Sequence, residues 1–199
     1  MRRIRGVGEP FVGLHDSPGV TRSADEWLAI RCQLGEPDAF DDLVERWHGP
    51  LCAYARRVTA SDDGANDAVQ DVWLRIVRGI GRLRDPARLR PWIFGIARRV
   101  LMDRLRDKYA APLLVDIVDE HPAPEPDLER DADLVALATA LDRLPLIERE
   151  VLALFYLEEL TLEELSDVLA IPIGTVKSRL FRARKLLRER LLTPEAPHD

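Results

Sequence analysis

Residues 175–188 contain a dense set of side chains that can donate hydrogen bonds to a polyanion. If this segment is helical, a rotation of about 100° per residue divides it into two faces. One face, which should lie against a core, carries Val176, Leu180, Ala183 and Leu187. The opposite face and its edges carry polar, cationic and aromatic residues, namely Thr175, Lys177, Ser178, Arg179, Phe181, Arg182, Arg184, Lys185 and Arg188.

These residue types match the chemistry of DNA recognition. Arg and Lys donate to guanine edges and phosphates, Ser forms a short adaptable hydrogen bond, and Phe can contact a thymine methyl group. The alternative is a solvated basic face that covers a small bundle. The aromatic residue on the basic face and the turn that precedes the helix favour DNA recognition.

A tight turn must position this helix. Thr161 and Glu164 have the spacing of a capping box, which predicts a short helix from Thr161 to about Leu169. Pro172 and Gly174 then break the helical period, and a longer helix opens near Gly174. Two helices joined in this way form the helix-turn-helix pattern, whose second helix enters the major groove.

Charge is segregated along the chain. The 199 residues include 29 Lys and Arg against 35 Asp and Glu, a formal net charge of −6. Arginines crowd residues 75–106 and cations recur over 177–190, whereas nearly all the charged residues of 116–133 are acidic. We therefore expect two positive surfaces and one negative strip, not a uniformly basic coat.

Several classes of protein are disfavoured. No run of about 18 apolar residues occurs and no signal-peptide pattern is present, so we expect a cytoplasmic protein without membrane insertion. Cys32 and Cys52 lack metal-ligand spacing, which favours buried free thiols over a disulfide. The histidines are scattered, at His15, His48, His121 and His198. We expect neither an enzyme nor a metal or cofactor.

Residues 24–109 are predicted to form an all-helical bundle, since no strand alternation occurs. The helices should cover Ala24–Leu34, begin at Pro37, begin again after residues 61–63, and run from Ala87 or Arg90 to Tyr109. Gly49–Pro50 should bend or interrupt the second helix. The apolar stripes are Phe40, Leu43, Val44 and Trp47, then Val69, Val72, Trp73, Ile76, Val77 and Ile80, then Trp92, Ile93, Ile96, Ala97, Val100, Leu101 and Leu105. Arginines left for solvent or a polyanion are Arg88, Arg90, Arg98, Arg99, Arg104 and Arg106.

An acidic, proline-rich linker should follow at residues 110–130. Residues 131–192 should form a four-helix domain with helices over Ala132–Leu144 and Leu146–Leu157 before the helix-turn-helix. Its expected core comprises Leu134, Leu137, Leu141, Leu144, Val151, Leu154 and Phe155. Tails should occupy 1–23, as a disordered segment, and 193–199. The fold class is thus all-α, with two small helical domains.

Three motifs in order resemble the extracytoplasmic-function (ECF) sigma factors of the sigma-70 family, across residues 24–192. Asp67–Leu74 looks like the polymerase-binding helix of that family, Pro91–Arg98 like its promoter-melting helix, and Gly174–Arg184 like its recognition helix. One departure is Arg99, where the family commonly has Asn.

The resemblance implies a promoter-specificity subunit of RNA polymerase, acting in a stress or envelope response. Core RNA polymerase would be bound by Asp67, Gln70, Asp71 and Trp73. The melted minus-10 promoter DNA would be bound by Arg82, Arg84, Arg88, Arg90, Trp92, Arg98, Arg99 and Arg104, with residues 78–90 receiving a flipped base. The minus-35 DNA would be bound by Thr175, Lys177, Ser178, Arg179, Phe181, Arg182 and Lys185.

The family also implies an anti-sigma factor as a partner. It further implies that the linker threads the polymerase cleft; the alternative, a plain solvated spacer, is equally compatible with the sequence. The alternative function is a stand-alone helix-turn-helix regulator that binds an operator, with the first module as a sensor or dimerisation domain.

Overall fold

A computed structural model of the chain describes residues 18–59, 62–109 and 132–192. These residues form helices and turns only, so the all-α prediction is confirmed for the described part of the chain. The helices are α1 (Pro18–Gln33), α2 (Pro37–Thr59), α3 (Asp62–Gly79), α4 (Leu89–Tyr109), α5 (Ala132–Asp142), α6 (Leu146–Leu152), α7 (Leu162–Leu169) and α8 (Ile173–Leu192). We call residues 18–109 the first module and residues 132–192 the second module.

The first helix begins earlier than the sequence pattern predicted. It starts at Pro18, so residues 18–23 of the predicted disordered tail are helical. Proline is tolerated in the first turn, where its missing N–H would have no helical partner. Arg22 reaches Glu164 of the second module at 3.3 Å, which gives this added turn a tertiary contact.

The second helix is continuous through Pro50, so of the predicted bend or interruption at Gly49–Pro50 the interruption does not occur. A proline removes one helical hydrogen bond. Here Trp47 and Leu51, on either side, are both buried, and their packing offsets that loss. Val44 was predicted on the inner stripe but is 42% exposed, whereas Leu43 of the same stripe is fully buried, as is Ala39, which the stripe omitted.

The core of the first module lies between α2, α3 and α4. Leu43, Val72 and Ile93 are fully buried there, as is Phe94, which the predicted stripes omitted. The Phe94 ring packs edge-on against the rings of Trp47 and Tyr54, with distances between ring centres of 6.0 Å and 5.5 Å. Val77 is 55% exposed, so the predicted stripe of α3 is one residue too wide.

The helix-turn-helix forms as the sequence predicts. The Thr161 hydroxyl accepts a hydrogen bond from the Glu164 N–H at 3.2 Å, and a Glu164 carboxylate oxygen accepts one from the Thr161 N–H at 2.7 Å. This completes the capping box. Ala170 ends α7 in a left-handed conformation, with φ of 54°, which turns the chain into α8.

The helix before this motif differs from the prediction. The predicted helix Leu146–Leu157 is α-helical only to Leu152 and continues as one wide π-helical turn, Ala153–Leu157. A π-turn contains one residue more than an α-helical turn, so the residues after it are rotated relative to the α-helical pattern. Leu154 lies in the core, and Tyr156 and Leu157 are exposed. Leu137 is also exposed rather than core. The predicted linker, 110–130, lies outside the described residues. The side chain of Leu134, which was predicted in the core, is also outside the description.

The two modules pack directly against each other. Helix α4 lies against α7, and α2 against α6. The hydroxyl of Tyr54 in α2 donates to a carboxylate oxygen of Glu150 in α6 at 2.9 Å. The contact surface includes part of α4, which carries more basic residues than any other helix of the first module.

Candidate nucleic-acid interface

Helix α8 has the two faces that its sequence predicts. Val176, Leu180 and Ala183 are buried, and Leu187 packs against the core from a half-buried position. On the opposite side Phe181 is 72% exposed. Its neighbours Lys177, Ser178, Arg182 and Lys185 are exposed with it, whereas Thr175 and Arg179 are half-buried at the edges. The exposed aromatic ring among cations is the arrangement expected of a helix that contacts base edges.

Three polar residues of this face already have partners in the protein, and Lys185 has the weakest, an exposed pair with Glu189 at 3.8 Å. The Arg182 guanidinium contacts a carboxylate oxygen of Glu148 at 3.1 Å, and the side chain of Glu148 is buried. The Ser178 hydroxyl donates to the Thr175 carbonyl oxygen at 2.9 Å. Arg182 is therefore more than a surface cation, because it neutralises a buried carboxylate beneath the face.

The basic residues of the first module fall into two groups. Arg82, Arg84 and Arg99 are exposed. Trp92 is half-buried, and a methyl group at Gly79 would lie 3.0 Å from its ring, so a side chain at that position would require the ring to shift. Arg104 is half-buried and pairs with Asp71 of α3.

The second group, Arg88, Arg90 and Arg98, faces the second module. Arg88 pairs with Asp167, and the Arg98 Nε lies 3.0 Å from a carboxylate oxygen of Glu150. Arg90 donates to the backbone carbonyl oxygen of Glu158 at 3.2 Å. The prediction that these arginines are left for solvent or a polyanion is wrong for Arg90 and Arg98, which are half-buried against oxygens of the second module. Arg88 is exposed, as predicted, although it pairs with Asp167.

Arg90 also stabilises the first module itself. Its guanidinium carbon lies 5.3 Å from the centre of the Trp47 ring, a cation–π contact. Its Nε lies 3.9 Å from the buried carboxylate of Asp25, which also pairs with Arg46. Burial raises the pKa of Asp25, and these two guanidinium groups oppose that rise.

Buried carboxylates on the second module are the feature that sequence reasoning missed. Glu148, Glu150 and Glu158 are all buried. Burial raises the pKa of Glu150, while Arg98, Tyr54 and Arg179 oppose the rise. Burial likewise raises the pKa of Glu158 to about 7, with Arg57 and Arg90 opposing. A buried carboxylate is tolerated where cations and hydrogen-bond donors surround it, and here most of those donors come from the first module.

Some of the residues predicted to bind polymerase on α3 already have partners within the first module. Asp67 and Gln70 are exposed, as predicted. Asp71 pairs with Arg104, and the Trp73 Nε1 donates to the His48 Nδ1 at 3.2 Å. The face that remains open to a partner is therefore centred on Asp67 and Gln70.

Two further observations concern the described residues. Cys32 and Cys52 are free and buried, as predicted. Among residues 18–59, 62–109 and 132–192, no group of three His, Cys, Asp or Glu is placed to hold a metal ion, and no helix has the length and apolarity needed to cross a bilayer.

Comparison with known proteins decides the family. The sigma-70 region 2 family matches residues 43–110, and the sigma-70 region 4 family matches residues 134–187. The ECF RNA polymerase sigma factor SigM of Mycobacterium tuberculosis is 32% identical over 177 residues, which cover 89% of this chain and 86% of that protein. This chain belongs to the ECF sigma factors.

An ECF sigma factor directs transcription initiation at promoters, with core RNA polymerase and promoter DNA as its partners. The chain is thus a DNA-binding regulatory subunit, and the stand-alone regulator alternative is set aside. SigW of Bacillus subtilis is also similar, at 27% identity over 79% of this chain and 91% of that protein. The first module contains region 2 and the second contains region 4.

Solved structures share the fold of this sigma factor. CnrH, solved in complex with the cytosolic domain of CnrY, matches with a TM-score of 0.62 and 26% identity over 87% of this chain and 99% of that chain. RpoE of Bartonella quintana, solved with the anti-sigma factor NepR, matches with a TM-score of 0.65 and 24% identity over 79% of this chain and 99% of that chain. The second likeness concerns the fold alone.

Proposed function

We propose that the two cationic faces of this sigma factor bind the two promoter elements separately. The first module would hold the melted minus-10 strand, and the second would read the minus-35 duplex. The observation that carries the proposal is that each module has its own cationic face with an aromatic residue in it, Trp92 in the first and Phe181 in the second. Unpaired bases need stacking surfaces and a cationic track for their backbone.

On the first module the minus-10 contacts would begin with the exposed cations, Arg82, Arg84 and Arg99. Arg99 stands where the family commonly has Asn, and its exposed guanidinium suits a phosphate contact. Arg88, Arg90 and Arg98 would join the contacts only after the second module moves away, because their donors are occupied. Trp92 and Arg104 complete the proposed set.

On the second module the minus-35 contacts would come from the exposed face of α8. Phe181, Arg182 and Lys185 project furthest from the core, and Lys177 and Ser178 lie one turn earlier. Thr175 at the start of α8 and Arg179 at its edge are half-buried and would contact the DNA backbone. The buried Glu148 beneath Arg182 would fix the direction of that guanidinium.

Core RNA polymerase would dock on the open part of α3. Asp67 and Gln70 are acceptors that suit a basic helical partner, whereas Asp71 and Trp73 act through the contacts that hold α3 to its neighbours. We also propose an anti-sigma partner, as the family resemblance implies; among the structural neighbours, RpoE was solved with the anti-sigma factor NepR and CnrH with the cytosolic domain of CnrY. The protein would act in the cytoplasm, in a stress or envelope response, by regulation and not by catalysis.

Run-off transcription with purified core polymerase on genomic fragments tests this function. The wild-type protein should produce discrete transcripts whose start sites share upstream elements. A double variant, Asp67→Arg with Gln70→Arg, should lose co-purification with core polymerase, because reversal of the Asp67 charge and a new positive charge at Gln70 replace attraction with repulsion across the docking face. The matched control is Asp41→Arg with Val44→Arg on exposed positions of α2, which has the same spacing and the same change in net charge. Equal transcription by the α3 variant and the control would overturn the docking face.

A further inference from the structure

The segment that joins α3 to α4, residues 78–90, is the part of the first module that would receive a flipped base, and we call it the base loop. It contains two short 3-10 turns, Ile80–Arg82 and Pro86–Arg88, and Leu83 is extended after the first of them. A binding site functions only when its walls are held in place. The contacts that hold this loop therefore bear directly on its use as a base pocket.

Gln33, the last residue of α1, holds the base loop through its side-chain amide. Its Nε2 donates to the carbonyl oxygen of Ile80 at 3.1 Å and to that of Leu83 at 2.7 Å. The reverse orientation of the amide would set its oxygen against two carbonyl oxygens, so the nitrogen is the atom that faces the loop. One amide group thus uses both of its N–H bonds on the base loop.

These two hydrogen bonds fix the two ends of one turn. The Ile80 carbonyl oxygen also accepts from the Leu83 N–H at 3.1 Å, which closes that turn. The acceptors lie 47 and 50 residues further along the chain than Gln33. The amide of Gln33 is therefore used for a tertiary contact, and the contact joins α1 to the base loop.

The position of Leu83 decides where two cations of the loop project. Leu83 is buried, and its neighbours on either side, Arg82 and Arg84, are exposed. Burial of apolar side chains is not directional, whereas a hydrogen bond to a carbonyl oxygen constrains the plane of the peptide group. Packing thus sets the depth of the loop, and Gln33 sets the orientation of the backbone that carries both guanidinium groups.

We propose that Gln33 is a positioning residue for the melted minus-10 strand, because its amide holds the base loop in the form that receives a flipped base. Gln33 acts through the loop backbone and not by contact with the DNA. The inference rests on the proposed minus-10 function of the first module. It adds α1 to the elements on which that function depends.

The test measures which base of the strand the protein recognises. It uses the full-length protein and fluorescein-labelled single-stranded DNA that carries the minus-10 element of a promoter mapped by run-off transcription. A series of otherwise identical strands replaces one base at a time by an abasic site. The ratio of the two affinities, intact strand over abasic strand, gives a base-recognition factor for each position.

Four variants separate the hydrogen bonds from other effects. Gln33→Met removes both N–H donors and keeps the length and charge of the side chain, whereas Gln33→Lys keeps a donor. Ala24→Met places the same new side chain on an exposed position of α1 and is the matched control. Gln33→Ala also removes the donors and favours the helix, so it provides the test if Gln33→Met does not fold. Circular dichroism checks each variant.

In the wild type, one position should show a base-recognition factor of about ten, a size typical of a single base contact. Gln33→Met should reduce that factor to about two, because each lost hydrogen bond shifts the population of the placed loop by about five-fold. Affinity for the strand that lacks this base should stay unchanged. Gln33→Lys should recover most of the factor, and Ala24→Met should retain all of it.

Three results would overturn the role of Gln33. One is a full base-recognition factor in Gln33→Met. Another is equal weakening by Gln33→Met at every position of the strand, which indicates a general loss of structure. The third is the same reduced factor in Gln33→Met and Gln33→Lys. A wild-type protein that loses no affinity at any abasic position would instead overturn the base-receiving function of the loop, so the two failures are distinguishable.

Discussion

The two cationic surfaces of this sigma factor differ in what lies against them. The outer face of α8 is open to solvent, and its aromatic residue Phe181 is 72% exposed. The face of α4 that carries Arg98, together with Arg88 just before it, lies against carboxylates of the second module. Cationic composition alone therefore does not make a surface available, since the same guanidinium groups serve equally well inside the protein.

The difference follows from which elements pack against each helix. The face of α8 opposite to Phe181 is filled by residues of its own module, such as Val176 and Leu180, so that the recognition face stays free. Helix α4 is packed by α3 on one side and by α7 on another, so its arginines meet a second protein surface. Recognition by α8 should thus depend on local features, and recognition by α4 on the contact between modules.

The largest expected effect comes from the buried face of α8. Leu180→Ala should lower the free energy of unfolding by about 2–5 kcal/mol, because Leu180 is almost fully buried and its removal leaves a cavity. Phe181→Ala, one residue along, should change that free energy by no more than about 0.5 kcal/mol. Chemical denaturation measures both. Equal losses in the two variants would contradict the two-faced description of α8.

Arg182→Ala should affect DNA binding and stability together. Loss of a base contact should weaken binding of minus-35 duplex by about 1–3 kcal/mol. Stability should also fall, because the buried carboxylate of Glu148 loses its partner. Glu148→Gln combined with Arg182→Ala should recover the stability but not the DNA affinity. Recovery of both would show that Arg182 acts only through Glu148.

Thr161→Ala tests whether the helix-turn-helix is held locally. It removes the hydroxyl that caps α7, and should lower the free energy of unfolding by about 1 kcal/mol. Minus-35 affinity should fall slightly, while binding of single-stranded DNA by the first module should not change. Fluorescence anisotropy with the two kinds of DNA makes the comparison, and Thr161→Ser, which keeps the hydroxyl, is the control. An equal loss for both DNAs would contradict a locally held motif.

The smallest expected effect concerns pH. The pKa of Glu158 is raised from 4.5 to about 7 by burial, against the opposing charges of Arg57 and Arg90. The packed modules therefore hold a proton on Glu158 that separated modules would release. The contact between the modules should weaken as pH rises from about 4.5 to 7 and change no further above that. The raised pKa of Glu150 acts in the same direction. Scattering at pH 6 and pH 8 should show a larger radius at pH 8.

Glu158→Gln is the control for the pH effect, since it removes one titrating group and keeps the shape of the side chain. The variant should show a smaller change in radius between pH 6 and pH 8 than the wild type. A contraction of the wild-type protein as pH rises would contradict the sign derived from the raised pKa.

The sequence predicted the local features of this protein well. The capping box at Thr161, the two faces of α8 and the helix that ends near Tyr109 follow from residues that lie within one or two turns of each other. The assignment of the sigma-70 regions followed from motifs of the same kind. The errors in the helical stripes, at Val44 and Val77, lie at the stripe edges, where a rotation of a few degrees decides between core and solvent.

Only the tertiary structure decided which arginines are open. Tyr54 and Glu150 are 96 residues apart, and Arg88 and Asp167 are 79 apart, so no local period relates them. Glu148, Glu150 and Glu158 have the sequence character of surface residues, and they are buried because another helix brings donors to them. The short-range sequence pattern determines which side of a helix is apolar. Which polar residues become buried is determined by the second helix that packs over them, and residues distant in sequence supply that helix.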